Sequence, residues 1–156
     1  MKFRNTLWWV LFFIISILLQ KTFPGIDTLV IGLLISLEER SPLQTLWVLL
    51  TIIIIQEGCG TLDFGVSILW YSCVIGLFFI GCWLFETKNF LFIILLSIAI
   101  GITKFFVITL MSHLQNLPDN TSLIINECML QALYIPIAWK LISLTRSWVT
   151  KYEAEA

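Results

Sequence analysis

Six apolar stretches, separated only by short polar segments, occupy almost the whole of this 156-residue sequence. Hydrophobic residues make up 59% of the chain and charged residues only 12%. A soluble domain of this size carries a charge on about a quarter of its residues, because these residues cover its surface. The sequence therefore predicts an all-α integral membrane protein, a bundle of about six transmembrane helices without a separate water-soluble domain.

The apolar stretches differ in length. The last three have about 22 residues each, enough to cross the hydrocarbon core of roughly 30 Å with some tilt. The second and third are short, so they either cross a thinned bilayer or form a hairpin that enters and leaves on the same side. The predicted spans are 7–19, 26–37, 43–55, 64–85, 90–111 and 123–144. Residues 1–144 thus form the transmembrane bundle, and 145–156 form a short polar cytoplasmic tail that we expect to be frayed.

Lysine and arginine are distributed unevenly between the two sides of such a bundle. If all six stretches cross, Lys21 is the only basic residue in the loops of one side, and the other side receives nearly all the rest. Cytoplasmic loops are enriched in basic residues. The pattern predicts that both termini are cytoplasmic and that 57–64 and 112–122 form external loops. The basic residues on the predicted cytoplasmic side are Lys2, Arg4, Arg40, Lys88, Lys140, Arg146 and Lys151.

Lys104 is the only basic residue of the sequence that lies deep inside a predicted span, about 10 Å below the external boundary. Glu127 and Gln131 of the last span lie at a similar depth, and Glu57 lies in an external loop. Because intramembrane ions usually face the interior of a bundle, Lys104 could pair with Glu57 or Glu127 in a polar pocket or docking site. The structural alternative is a lysine whose amine extends outward to the membrane surface.

The turn between the third and fourth stretches combines an acidic residue with several glycines, which permit backbone geometries that larger residues resist. We expect this turn to form part of a partner-binding or pocket surface. Together with the polar residues inside the spans, it gives the candidate site residues Glu57, Gly58, Gly60, Gly65, Lys104, Glu127 and Gln131.

No arrangement of residues in the sequence predicts catalysis or a bound metal. The four cysteines have no Cys-x-x-Cys spacing, and the single histidine is His113. Neither a His-Glu-x-x-His motif nor the Lys-Ser/Thr of a phosphate-binding loop is present. An enzyme is therefore the least favoured class, and we expect no cofactor and no nucleic-acid partner.

The order of segments resembles the bacterial rod-shape-determining membrane protein MreD family over most of the chain. Pro24 and Asp27 open the second stretch, and Arg40-x-Pro42 separates it from the third. An acidic, glycine-containing turn that begins with Gln56-Glu57-Gly58 then leads into the fourth stretch. The last stretch contains Pro136 and ends in basic residues.

This resemblance implies a non-enzymatic scaffold subunit of the cell-elongation machinery in the bacterial inner membrane. Its partners would be an MreC-like bitopic protein, wall-synthesis enzymes and membrane lipid. A different class remains open, since substrate-capture subunits of energy-coupling-factor transporters are similar in size and in six-helix layout. Such a subunit would bind a small solute in the external half, where Glu57, Lys104, Glu127 and Gln131 lie.

Overall fold

The chain is all-helical in the part that its structure, a computed structural model, describes: residues 3–23, 25–59, 65–85, 90–115 and 121–154. The six helices of these ranges correspond to the six apolar stretches, which confirms the predicted fold class. They are α1 (Phe3–Thr22), α2 (Leu29–Glu38), α3 (Pro42–Cys59), α4 (Val66–Leu84), α5 (Phe90–Gln115) and α6 (Thr121–Ala154).

Four of these helices, α1, α4, α5 and α6, are long and apolar enough to cross a membrane. Their outward faces carry large apolar side chains such as Leu18, Phe106 and Leu133, each more than half exposed. A soluble monomer rarely exposes apolar surface on this scale, whereas lipid solvates it without cost. The chain is a membrane protein with at least four helices of spanning length.

The short helix α2 is the centre of the bundle. It packs against α1, α3, α4 and α6, and every residue from Leu29 to Leu37 is buried. Ten residues extend about 15 Å, half the thickness of the hydrocarbon core. Gly32 allows α1 to approach closely, because a methyl group there would come within 2.4 Å of the Phe12 ring.

Helix α6 is longer than the sequence suggested. It runs for 34 residues and continues through the segment that we assigned to a frayed tail. Within that segment Arg146 is buried, with only 6% of its surface exposed. An arginine at this position can leave water because a carboxylate just after the end of α2 accompanies it, as described below.

Candidate functional site

Asp27, in the turn before α2, is the centre of a buried polar cluster. Its Oδ1 accepts hydrogen bonds from Gln20 Nε2 at 2.9 Å and from the backbone N–H of Leu29 at 3.1 Å. Its Oδ2 accepts hydrogen bonds from Trp70 Nε1 and from the Tyr71 hydroxyl, both at 2.9 Å. Asp27 itself is only 6% exposed, so these four donors replace the water that a carboxylate would otherwise hold.

Gln131 of α6 completes this cluster from the opposite side. Its side-chain oxygen accepts the backbone N–H of Asp27 at 2.6 Å, and its Nε2 donates to the backbone carbonyl of Asp27 at 3.0 Å. Gln131 is fully buried, and the Tyr134 hydroxyl one turn later reaches Thr28 Oγ1 at 3.4 Å. We name Asp27, Gln20, Trp70, Tyr71 and Gln131 the Asp27 cluster. It joins α1, α4 and α6 to the start of α2.

Lys104 lies beside this cluster, inside the bundle. Its Nζ donates a hydrogen bond to the backbone carbonyl of Gly25, and its side chain is largely covered. Glu127 approaches the same glycine, since a methyl group on Gly25 would come within 2.6 Å of its Cγ. In the described part of the chain, however, Lys104 forms an ion pair with neither Glu127 nor Glu57. As expected, Lys104 lies inside the bundle. Its hydrogen-bond partner, however, is the Gly25 carbonyl and not the expected carboxylate of Glu127 or Glu57.

A cavity of about 310 Å³ opens between Lys104, Glu127 and Asp27. Its other polar side chains are those of Gln20, Gln56 and Ser67. The residues that line it come from the last turns of α1 and α3, the turn before α2, the second half of α5 and the first turns of α4 and α6. This arrangement is typical of helices that alternate in direction, and it brings polar side chains of several helices together at one end of the bundle. We name this end the Asp27 end.

The glycine-rich turn that we predicted as a binding surface is described only in part. The carboxylate oxygens of Glu57 accept the backbone N–H of Gly65 at 3.2 and 3.3 Å, which ties the end of α3 to the start of α4. Gly65 has φ = 100°, a backbone conformation that favours glycine. Gly58 has open space around it, and Gly60 lies outside the described residues. Glu57 thus has a partner within the turn, and it does not line the cavity.

A second polar cluster lies at the other end of α2. The guanidinium of Arg146 forms an ion pair with Glu39, with its Nη2 at 3.0 Å from Oε2, and it lies over the Trp8 ring at 4.9 Å. Gln44 Nε2 donates to the same Glu39 carboxylate, and Asn5 Nδ2 donates to Gln44 Oε1 at 3.4 Å. We name Glu39, Arg146, Gln44, Trp8 and Asn5 the Glu39 cluster, and its end of the bundle the Glu39 end.

Sequence reasoning did not select two of the most connected residues. Asp27 was recognised as an element of a family resemblance but not as a site residue, and Arg146 was counted as a basic residue of a tail. A signal for Asp27 existed, because an acidic residue directly before a stretch of uninterrupted apolar residues needs internal hydrogen-bond donors. Its partners Trp70 and Tyr71 carried no such signal, since both are also common as packing residues.

The described side chains at the Asp27 end provide charged and hydrogen-bonding groups that can bind a ligand. Among the described residues, no group of three or more histidine, cysteine and acidic side chains is placed to hold a metal ion. Comparisons with protein-family models, curated proteins and solved structures give no match to this chain.

Proposed function

We propose that this chain is a non-enzymatic scaffold subunit of the bacterial inner membrane, similar to MreD, with both termini in the cytoplasm. The observation that carries the proposal is the role of Asp27. The acidic residue that contributes to the family resemblance has both carboxylate oxygens occupied, by side-chain donors from α1 and α4 and by the backbone N–H of Leu29. Such a group stabilises an arrangement of helices, which is the property that a scaffold requires.

A groove between α1 and α6 supports the second part of the proposal, the docking of a single transmembrane helix from an MreC-like bitopic partner. The groove has a volume of about 840 Å³, and its lining is almost entirely apolar. It follows α1 from Trp8 to Leu19, a length of about 16 Å. Ser16, which borders this groove, is already covered by the chain itself, so apolar packing would provide the contact with a docked helix.

Co-purification with the bitopic partner tests this proposal, because α1 offers matched positions inside and outside the groove. Leu11 and Ile15 line the groove, whereas Val10 is similarly exposed on the opposite face of α1. Leu11→Trp and Ile15→Trp should reduce the amount of co-purified bitopic protein several-fold, and Val10→Trp should leave it unchanged. If no bitopic protein co-purifies, or if all three variants behave alike, docking in this groove is wrong.

One observation favours a second candidate function, the capture of a small solute. The cavity at the Asp27 end contains charged side chains that do not bind each other, although a purely structural polar cluster would be expected to satisfy them internally. A binding assay separates this candidate from the scaffold, because solute capture does not require the α1–α6 groove.

A further inference from the structure

The charged groups of the cavity differ in how far they are already satisfied. All four hydrogen bonds to the Asp27 carboxylate come from the protein, two on each oxygen. Lys104, by contrast, has three N–H donors and directs one to the Gly25 carbonyl. Glu127 accepts no hydrogen bond from any described residue. The cavity thus presents one cation and one anion with unused hydrogen-bonding capacity.

Lys104 and Glu127 lie on two sides of Gly25 without forming an ion pair with each other. A molecule between them would need an anionic group for the Lys104 ammonium and a cationic donor for the Glu127 carboxylate. A charged group in a largely apolar environment is costly unless it is paired. A neutral ligand would form an ion pair with neither side chain, and a ligand with a single charge would form an ion pair with only one of them.

The remaining walls limit the size and the character of the ligand. Ile26, Val66, Val107 and Ile108 provide apolar surface, and Gln56 and Ser67 provide neutral hydrogen-bonding groups. A volume of about 310 Å³ corresponds to roughly ten water molecules and lies at the lower end of the range for ligand pockets. A cavity of this volume is large enough for a small aliphatic amino acid.

We infer that the cavity binds a small zwitterion, with an acidic group at Lys104, an ammonium group at Glu127 and an aliphatic part against the valine and isoleucine side chains. The same chemistry is present in a free amino acid and in the headgroup of a zwitterionic lipid such as phosphatidylethanolamine. The inference names the ligand class of the second candidate function. It does not depend on the scaffold function.

The test is ligand binding to the full chain in nanodiscs, measured by calorimetry with L-leucine and glycine as probes. Two analogues of leucine serve as matched ligands: 4-methylpentanoate, which lacks the ammonium group, and 3-methylbutylamine, which lacks the carboxylate. We expect saturable binding of a zwitterion and at least about tenfold weaker binding of each analogue. A tenfold change corresponds to about 1.4 kcal/mol, comparable to one charged hydrogen bond.

Nanodisc composition distinguishes the two sources of the ligand. In nanodiscs of phosphatidylglycerol alone, a site for a free amino acid binds leucine with its full affinity. With phosphatidylethanolamine present, a headgroup site co-purifies with that lipid, and added leucine competes with it. Either result supports a zwitterion site. If no amino acid binds and no zwitterionic lipid is retained, the inference is wrong.

Variants of the protein provide the second measurement. Lys104→Met and Glu127→Gln should each weaken binding of the zwitterion at least tenfold. Lys140→Met and Glu38→Gln are the matched controls, since neither residue lines the cavity, and they should leave binding unchanged. If Lys104→Met does not fold, the comparison of leucine with its two analogues on the unaltered protein still decides the question.

The alternative to a zwitterion site is a direct ion pair between Lys104 and Glu127, and the variants distinguish the two. In that case each single variant would lower the thermal stability, the double variant would recover part of the loss, and no probe would bind. This result would overturn the zwitterion site and leave the scaffold function untouched. Conversely, failure of the bitopic partner to co-purify would not affect the binding measurements.

Discussion

A carboxylate lies at each end of α2, and the protein stabilises the two in different ways. At one end, Asp27 receives hydrogen bonds from four uncharged donors, one on α1, two on α4 and one on its own backbone segment. At the other end, Glu39 is neutralised mainly by one cation, Arg146, which is itself covered by Trp8. The Asp27 end also contains a cavity with incompletely satisfied charges, whereas the Glu39 cluster uses its cation and its carboxylate within the protein.

This difference determines how each end should respond to the loss of a single polar partner. An ion pair depends on both members, so the loss of one leaves an uncompensated buried charge. A carboxylate with several neutral donors can lose one donor at a moderate cost. We therefore expect the Glu39 end to respond sharply to single changes of its partner, and the Asp27 end to respond sharply only when the carboxylate itself is removed.

The largest effect should follow from removing the Asp27 carboxylate. Asp27→Ala leaves the buried donors of Trp70, Tyr71 and Leu29 without an acceptor, and each costs about 1–3 kcal/mol. We expect a loss of about 3 kcal/mol or more, measured as a fall in Tm of roughly 6–12 °C in detergent. Asp27→Asn keeps one oxygen acceptor and should lose less. A Tm of Asp27→Ala close to that of the unaltered protein would show that the cluster does not stabilise the bundle.

The next effect should come from the Glu39–Arg146 pair. Arg146→Met should cost about 2–3 kcal/mol, less than the 3–5 kcal/mol of a fully buried pair because the Glu39 side chain is 24% exposed. The double variant Glu39→Met/Arg146→Met should recover most of that loss. Both are measured by thermal unfolding in the same detergent. Equal losses in the single and the double variant would mean that Arg146 stabilises the helix end by packing alone.

The smallest effects should come from single donors to Asp27. Trp70→Phe and Tyr71→Phe each remove one of the two bonds to Oδ2 and should cost about 1 kcal/mol, or roughly 2–4 °C in Tm. Val74→Ala, a buried change on α4 away from the cluster, serves as a reference for packing losses. If either donor variant lowers the stability as much as Asp27→Ala does, the stabilisation of the Asp27 carboxylate is not divided among several donors.

The sequence was sufficient to predict the helices, because apolar length alone identifies a segment that can lie in a membrane. The two shorter helices were also recognised as unusual. That α2 is the buried centre of the bundle could not be predicted, since lipid-facing and protein-facing side chains are both apolar. Leu18 on α1 and Leu33 on α2 are chemically the same, yet one is 59% exposed and the other fully buried.

The candidate site was predictable only where a polar residue is rare in its surroundings. Lys104, Glu127 and Gln131 stood out inside apolar helices, and the structure brings them together around Gly25 and Asp27. Arg146 did not stand out, because its neighbours in sequence are polar and a solvated tail explained it equally well. Which partner neutralises a buried charge depends on helix packing, and no local pattern encodes that packing.

The central proposal, that both termini are cytoplasmic and that the Asp27 end of the bundle faces outward, can be tested directly by cysteine labelling in intact cells. Cys59, Cys73, Cys82 and Cys128 are first replaced by serine. Gln56→Cys then places a thiol in the cavity, and Gln44→Cys places one beside Glu39. A membrane-impermeant thiol reagent should label Gln56→Cys in intact cells and Gln44→Cys only after permeabilisation. Labelling of both from the same side, or of Gln44→Cys first, would contradict the account.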